Sequence, residues 1–246
     1  MQSGPILNIS CYLFVSLPDA AELRPRLEAR ARALGLKGTV LLAEEGINLF
    51  LAGAASGVNA WVGELRADAR FAALTPKESW SEVQPFQRLK VKVKGEIIRM
   101  NHPTIRPDQA PRAPALAPAT LARWLDQGHD DDGREVVMLD TRNGFEVDHG
   151  AFDAAIDWRL HKFSDFPAAL AEHRDELAGK TVVSYCTGGI RCEKAAMVLA
   201  EQGLQAWQLD GGILKYFEDT GGKHYHGSCF VFDEREALRA DLSPTR

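Results

Sequence analysis

Thr181-Val182-Val183-Ser184-Tyr185-Cys186-Thr187-Gly188-Gly189-Ile190-Arg191-Cys192-Glu193-Lys194-Ala195 decides the reading of this 246-residue chain. Val182–Tyr185 is a short apolar run of the kind found in a parallel strand buried on both faces. A helix is predicted over Cys192–Gln202, so Cys186 stands at the carboxyl end of a buried strand, the edge at which open α/β sheets bind ligands. Three features converge on its sulfur. The backbone N–H groups of a Gly-Gly loop can curl inward, because glycine tolerates the dihedrals this requires. The positive end of the following helix points at the same spot. Arg191 adds a permanent positive charge. All three favour the thiolate, so Cys186 and Arg191 are the candidate catalytic residues, and Thr187, Gly188, Gly189 and Ile190 form the active loop. The bland alternative is an inert strand-end cysteine; Gly-Gly at once after it and arginine five positions on put the reactive reading ahead. Cys192 is read as packing in the first helical turn, with a disulfide to Cys186 left open.

Loop length narrows the chemistry. Cysteine phosphatases place five residues between cysteine and arginine to surround a tetrahedral oxyanion; here only four separate Cys186 from Arg191. The shorter loop suits a single extra sulfur atom on the cysteine, which favours persulfide chemistry over phosphoryl transfer.

Outward from this loop, Val136-Val137-Met138-Leu139 is a second short apolar run. Helical segments are read at Thr120–Leu125, with Thr120 as its cap, and at Phe166–Leu177. Strands alternating with helices argue for a doubly wound parallel α/β domain over 119–221. Upstream, Pro103, Pro107, Pro111, Pro114 and Pro118 make 102–118 a proline-rich linker, since so much proline continues neither a helix nor an inner strand. Residues 222–246 are read as a tail packed on the body. His224, His226 and Cys229 within it are too close together on one short segment for a complete zinc site, and no metal is expected.

The first 101 residues read as strand Ile9–Val15, helix Glu22–Leu34 capped by Asp19, a hairpin of Thr39–Leu42 and Ile47–Leu51, a helix capped by Ser56 through Leu65, and strand Leu89–Lys94. That order, β-α-β-β-α-β, is the ferredoxin-like (acylphosphatase-like) α+β arrangement. The last strand alternates, with Val91 and Val93 expected on a buried face and Lys90, Lys92 and Lys94, aligned with Arg88, on a cationic one. Such a row follows a phosphate backbone or guards an edge strand against aggregation, and the residues alone weigh the two equally.

Charge separates the halves. Residues 1–112 hold 15 Lys+Arg and 11 Asp+Glu, whereas 113–246 hold 14 and 23. The four cysteines, at 11, 186, 192 and 229, are too few and scattered for a disulfide framework. No apolar run approaches a membrane span, and Met1–Leu7 has no leader pattern, so a cytoplasmic protein without membrane contact is expected.

Leu139-Asp140-Thr141-Arg142-Asn143 with Glu146, and Leu209-Asp210-Gly211-Gly212-Ile213, resemble the signatures of the rhodanese family. Within it, Cys186–Ala195, Lys37-Gly38-Thr39-Val40-Leu41-Leu42-Ala43-Glu44-Glu45-Gly46-Ile47-Asn48 and Cys229-Phe230-Val231-Phe232-Asp233 resemble the rhodanese-domain tRNA uridine hydroxylases, across both domains. The resemblance implies oxygen-dependent hydroxylation of wobble uridine to 5-hydroxyuridine, with tRNA as partner, molecular oxygen as co-substrate and Cys186 as the persulfide-forming residue. It also tilts the lysine row toward RNA. No flavin, haem or iron motif is evident in the sequence. Asp140 and Arg142 are assigned to an ion pair that, with Glu146, braces the active loop. Two departures stand out: the chain lacks the cysteine-rich tail of many members, and the family's Phe-Arg-x-Phe-Pro is here Phe163-Ser164-Asp165-Phe166-Pro167. The competing readings are a sulfurtransferase moving sulfane sulfur from thiosulfate to an acceptor thiol through Cys186, and a rhodanese-like binding module with a silent thiol.

Overall fold

A computed structural model describes residues 5–245; the amino-terminal stretch read for a leader lies outside them up to Gly4. The chain divides into two compact units. One runs to Ile98 and takes in Arg106–Ala110; the other comprises Arg99–Ile105 and the chain from Pro111.

The first unit contains β1 (Ile6–Phe14), α1 (Ala20–Ala33), β2 (Lys37–Ala43), β3 (Gly46–Gly53), α2 (Ala55–Arg66), β4 (Lys77–Ser81) and β5 (Leu89–Val93). Its sheet has the order β4-β1-β3-β2-β5. Alternation sends Leu7, Ile9 and Cys11 of β1 and Ile47, Leu49 and Leu51 of β3 to one face, where they meet Leu23 and Leu27 of α1 and Val58, Trp61 and Leu65 of α2. The β-α-β-β-α-β arrangement is therefore present, but the strand that completes it is β4, antiparallel to β1. The basic strand β5 is an addition, parallel to β2 on the opposite edge. Sequence pattern missed β4 because Lys-Glu-Ser-Trp-Ser has no fully buried residue; an edge strand with little apolar signal is defined by its partner. Val91 is buried as expected, whereas Val93, the last residue of β5, is exposed.

The predicted caps differ for local reasons. Asp19 stands at the N-cap of α1, yet its carboxylate is taken by Arg70, with Oδ2 accepting from Nη2 at 3.1 Å. The α2 helix starts one residue before Ser56, with Ala54 at its N-cap.

The second unit contains β6 (Ala115–Leu116), α3 (Pro118–Gln127), β7 (Val136–Asp140), α4 (Gly144–Val147), β8 (Gly150–Phe152), β9 (Ile156–Asp157), α5 (Phe166–His173), β10 (Thr181–Tyr185), α6 (Ile190–Glu201), β11 (Gln205–Leu209), α7 (Gly212–Thr220), β12 (Tyr225–Gly227), β13 (Cys229–Phe230) and β14 (Ala237–Leu238). The order β6-β11-β10-β7-β9 is parallel throughout. Val183 and Tyr185 of β10 pack with Met138, Leu209, Leu121, Trp124 and Tyr216 on the face covered by α3 and α7. Ser184 points the other way, with Oγ 3.2 Å from the Cys192 carbonyl of α6. Helices thus cover both faces, and every residue of β10 is buried.

The proline-rich stretch ends inside this unit. Ala115 and Leu116 pair with Gln208 and Leu209 as an edge strand. Pro114 is tolerated there because only its carbonyl is used, accepting from the Gln208 N–H at 2.9 Å. Thr120 is not the cap of α3: the helix starts at Pro118, whose missing N–H leaves no donor to satisfy. Beyond 221 the chain also joins the unit, β12 pairing with β8 and β13 with β14. Among the described residues, no helix is long and apolar enough to cross a membrane.

Candidate active site

Cys186 follows β10 directly, and the chain turns into α6 within four residues. The turn needs Gly189 at φ +101°, the left-handed region, to stand as the helix N-cap. In that conformation the Gly189 N–H donates to Cys186 Sγ at 3.1 Å. Burial opposes ionisation of this thiol. It is outweighed by a hydrogen bond from the Cys192 thiol, the charge of Arg191, and the Cys192 and Arg191 N–H groups of the first helical turn, which hold the Cys186 pKa well below that of an ordinary thiol. Cys11 and Cys229 show the contrast: burial pushes each up to about 12. Cys192, assigned to packing on sequence grounds, is therefore also a polar neighbour of the reactive sulfur; its own Sγ lies 2.9 Å from the Gly189 carbonyl.

A second helix start supports the loop from below. The N–H groups of Ile213 and Leu214, opening α7, donate to the Cys186 and Thr187 carbonyls at 2.9 and 3.2 Å. Gly212 must be glycine: at φ +68° a Cβ would come 2.5 Å from the Cys186 carbonyl oxygen and 2.7 Å from the Gly189 nitrogen. The Leu209–Ile213 segment is thus the floor of the Cys186 loop, a role that its sequence pattern alone does not disclose.

Both arginines are held by buried carboxylates. Asp140 and Arg142 do pair, fully buried, at 2.6 Å. Arg142 also donates to the Gly150 carbonyl at 2.7 Å and lies 5.6 Å above the Tyr185 ring. Glu146 meets Arg142 through its backbone carbonyl, 3.4 Å from Nη1, and turns its carboxylate to the other arginine. Its two oxygens take Arg191 Nη1 and Nη2 at 2.5 and 2.8 Å, and Oε1 accepts the Asn143 N–H at 3.0 Å. Arg191 therefore presents its charge to Cys186 from a guanidinium already held by Glu146. Thr141 completes the brace, its Oγ1 donating to the Tyr185 carbonyl at 2.8 Å.

The carboxyl-terminal segment reaches the same place. Thr187 Oγ1 lies 3.4 Å from the Phe230 carbonyl, and the Tyr225 hydroxyl donates to the Gly150 carbonyl at 2.8 Å. His224, His226 and Cys229 diverge: His224 meets Asp126 at 2.8 Å, His226 meets Asp153 at 3.2 Å, and Cys229 is buried. Among the described residues no group of three or more His, Cys, Asp or Glu side chains is arranged to hold a metal. In the first unit Arg88, Lys90, Lys92 and Lys94 are all exposed, and their side chains make no ion pair with other described residues.

Residues 6–97 match the UPF0176 acylphosphatase like domain, and residues 118–219 match the Rhodanese-like domain. The tRNA uridine(34) hydroxylase of Delftia acidovorans is 67% identical over 241 residues, covering 98% of this chain and 91% of its own length. That of Variovorax paradoxus is 64% identical over 239 residues, covering 97% and 90%. That of Ralstonia nicotianae is 64% identical over 240 residues, covering 97% and 85%. With both domains matched and such identity sustained along nearly its whole length, the chain belongs to the tRNA uridine(34) hydroxylase family.

Proposed function

We propose that this chain is a cytoplasmic tRNA-modifying enzyme that hydroxylates the wobble uridine at C5, with molecular oxygen as co-substrate and Cys186 as the reactive residue. The observation that carries the reading is a buried cysteine stabilised as thiolate in a chain 67% identical to a relative named for that reaction. A thiolate is the nucleophilic form of cysteine, and the loop donors aimed at Sγ also suit the terminal sulfur of a persulfide. Loading takes sulfane sulfur from a donor: Cys186 Sγ attacks, the donor S–S bond breaks, and the rest of the donor leaves with the electron pair. Arg191 and the N–H groups of Gly189 and Cys192 hold the negative sulfur, while Glu146 keeps Arg191 in place. The exposed cations Arg88, Lys90, Lys92 and Lys94 suit binding to tRNA phosphates.

Nucleoside analysis of tRNA from a strain lacking the gene tests this. Wobble 5-hydroxyuridine should fall, and should return with the wild-type gene but not with Cys186→Ser. Unchanged 5-hydroxyuridine in the deletion strain, together with thiosulfate turnover by the purified protein, would move the reading to a small-molecule sulfurtransferase. A silent thiol and no turnover of either kind would leave only a binding module.

A further inference from the structure

Few large apolar side chains among the described residues stay exposed, and two of them stand beside the Cys186 loop: Phe145 at 49% and Phe232 at 50%. They come from separate elements, Phe145 from α4 and Phe232 from the segment after β13. Each is flanked by a buried neighbour, Glu146 and Val231 respectively. Both pack edge-on against one ring, Phe230, with centroids 5.3 and 5.1 Å away and planes at 89° and 87°. The turn after Phe232 is held by the Asp233–Arg235 pair at 2.6 Å.

This cluster is tied to the reactive loop at two points. Thr187 Oγ1 meets the Phe230 carbonyl, and Glu146, next to Phe145, holds both terminal nitrogens of Arg191. Folding gains little from ordering two phenyl rings and leaving half of each in water. What they offer is two half-exposed aromatic rings beside the loop. A base taken out of its stack is a flat ring that needs such surfaces.

We propose that Phe145 and Phe232 form a stacking site for unpaired nucleobases of an RNA loop, placing a pyrimidine for the chemistry at Cys186. The inference rests on the tRNA reading above and adds the residues that position the base. They act as positioning residues; the reacting sulfur remains that of Cys186.

The test uses the full chain, an anticodon stem-loop RNA with uridine at the wobble position, and the variants Phe145→Leu, Phe232→Leu, Phe145→Trp and Phe232→Trp. Leucine keeps apolar bulk against Phe230 but removes the π face, whereas tryptophan enlarges it. Each leucine variant should raise Kd and KM for the stem-loop roughly tenfold, the scale of one base–aromatic stack, with a smaller change in kcat. The tryptophan variants should bind as tightly as wild type or tighter. Cys186 alkylation by iodoacetamide should keep its rate in all four, reporting an undisturbed loop. Leucine variants that bind normally would overturn the proposal, as would tryptophan variants that lose as much as leucine, or altered alkylation, which would make the rings packing elements. Wild-type protein that forms no 5-hydroxyuridine, while leucine variants still lose stem-loop affinity, would defeat the hydroxylase reading and leave the stacking site standing.

Discussion

Cys11, within the sheet of the first unit, and Cys186, just past a strand of the second, have nearly equal exposure, 2% and 1%. Burial pushes Cys11 up to about 12, although Lys77 and Arg66 pull it down. Cys186 goes the other way, with a cation of its own in Arg191. Positive charge nearby therefore does not by itself produce a thiolate in a buried place. The difference lies in the hydrogen bonds that reach the sulfur, from the Cys192 thiol first and then from backbone N–H groups. Cys11 is in mid-strand opposite Leu49, where N–H groups are consumed by the antiparallel ladder. Cys186 lies one residue past the end of β10, where a glycine loop and a new helix turn N–H groups without ladder partners onto sulfur. The two units handle cations with the same contrast. The first leaves Arg88, Lys90, Lys92 and Lys94 in water, whereas the second buries Arg142 and Arg191 against carboxylates.

Removing each thiol in turn should separate the two sites most widely. Cys186→Ser should lower wobble-uridine hydroxylation roughly a hundredfold or more, as expected when a nucleophile is replaced by a hydroxyl that stays protonated. Cys11→Ser should leave turnover near wild type but cost about 1–3 kcal/mol of stability through its buried hydroxyl, read by urea unfolding. Comparable activity losses in the two variants would end the distinction drawn between the sites.

Next in size is the Arg191–Glu146 pair. A loop-closing arginine read from sequence alone is expendable to the fold; one gripped by a buried carboxylate is not. Arg191→Ala should cost about 3–5 kcal/mol by stranding Glu146, in addition to abolishing activity. The double variant Arg191→Met, Glu146→Leu should recover much of that stability without recovering activity. A normal melting temperature for Arg191→Ala would show that the pair does not hold the loop.

A pH series sharpens the thiol contrast. Iodoacetamide should label Cys186 at about pH 6, where Cys11 stays unreactive. The linked stabilities have opposite signs. The depressed Cys186 contributes stability that is present above the unfolded thiol value and is lost as pH falls through its folded pKa. The raised Cys11 contributes stability that is fully present below the unfolded thiol value and is lost as pH rises toward about 12. The stabilities of wild type and Cys11→Ala, read by urea unfolding, should therefore keep a constant separation below the unfolded thiol value and converge above it; curves parallel throughout would remove the Cys11 shift.

The smallest stability effect is expected at the basic edge. Lys90→Gln, Lys92→Gln and Lys94→Gln together should change stability by no more than about 0.5 kcal/mol, since all three lysines are exposed. The salt slope of tRNA binding should fall by roughly 0.7–0.9 for each phosphate that is no longer neutralised. An unchanged slope would return the row to edge protection.

What could be read from the sequence was whatever depends on neighbours along the chain. The run Thr181–Tyr185, the Gly188-Gly189 turn and the helix after it identify the strand-end cysteine, because strand, turn and helix start are local choices. The hairpin of Thr39–Leu42 and Ile47–Leu51 and the alternating lysines of β5 are legible for the same reason. Only tertiary structure could decide which partners meet across long separations. Glu146 joins Arg191, 45 residues away, rather than the Asp140–Arg142 pair close by. Ile213 and Leu214 prop the loop from below, and β4, with no apolar signature, displaces β5 as the strand that completes the first sheet. A side chain's charge and shape are written in the sequence, but its electrostatic partner is set by packing, and at Cys186 that packing reverses the effect of burial.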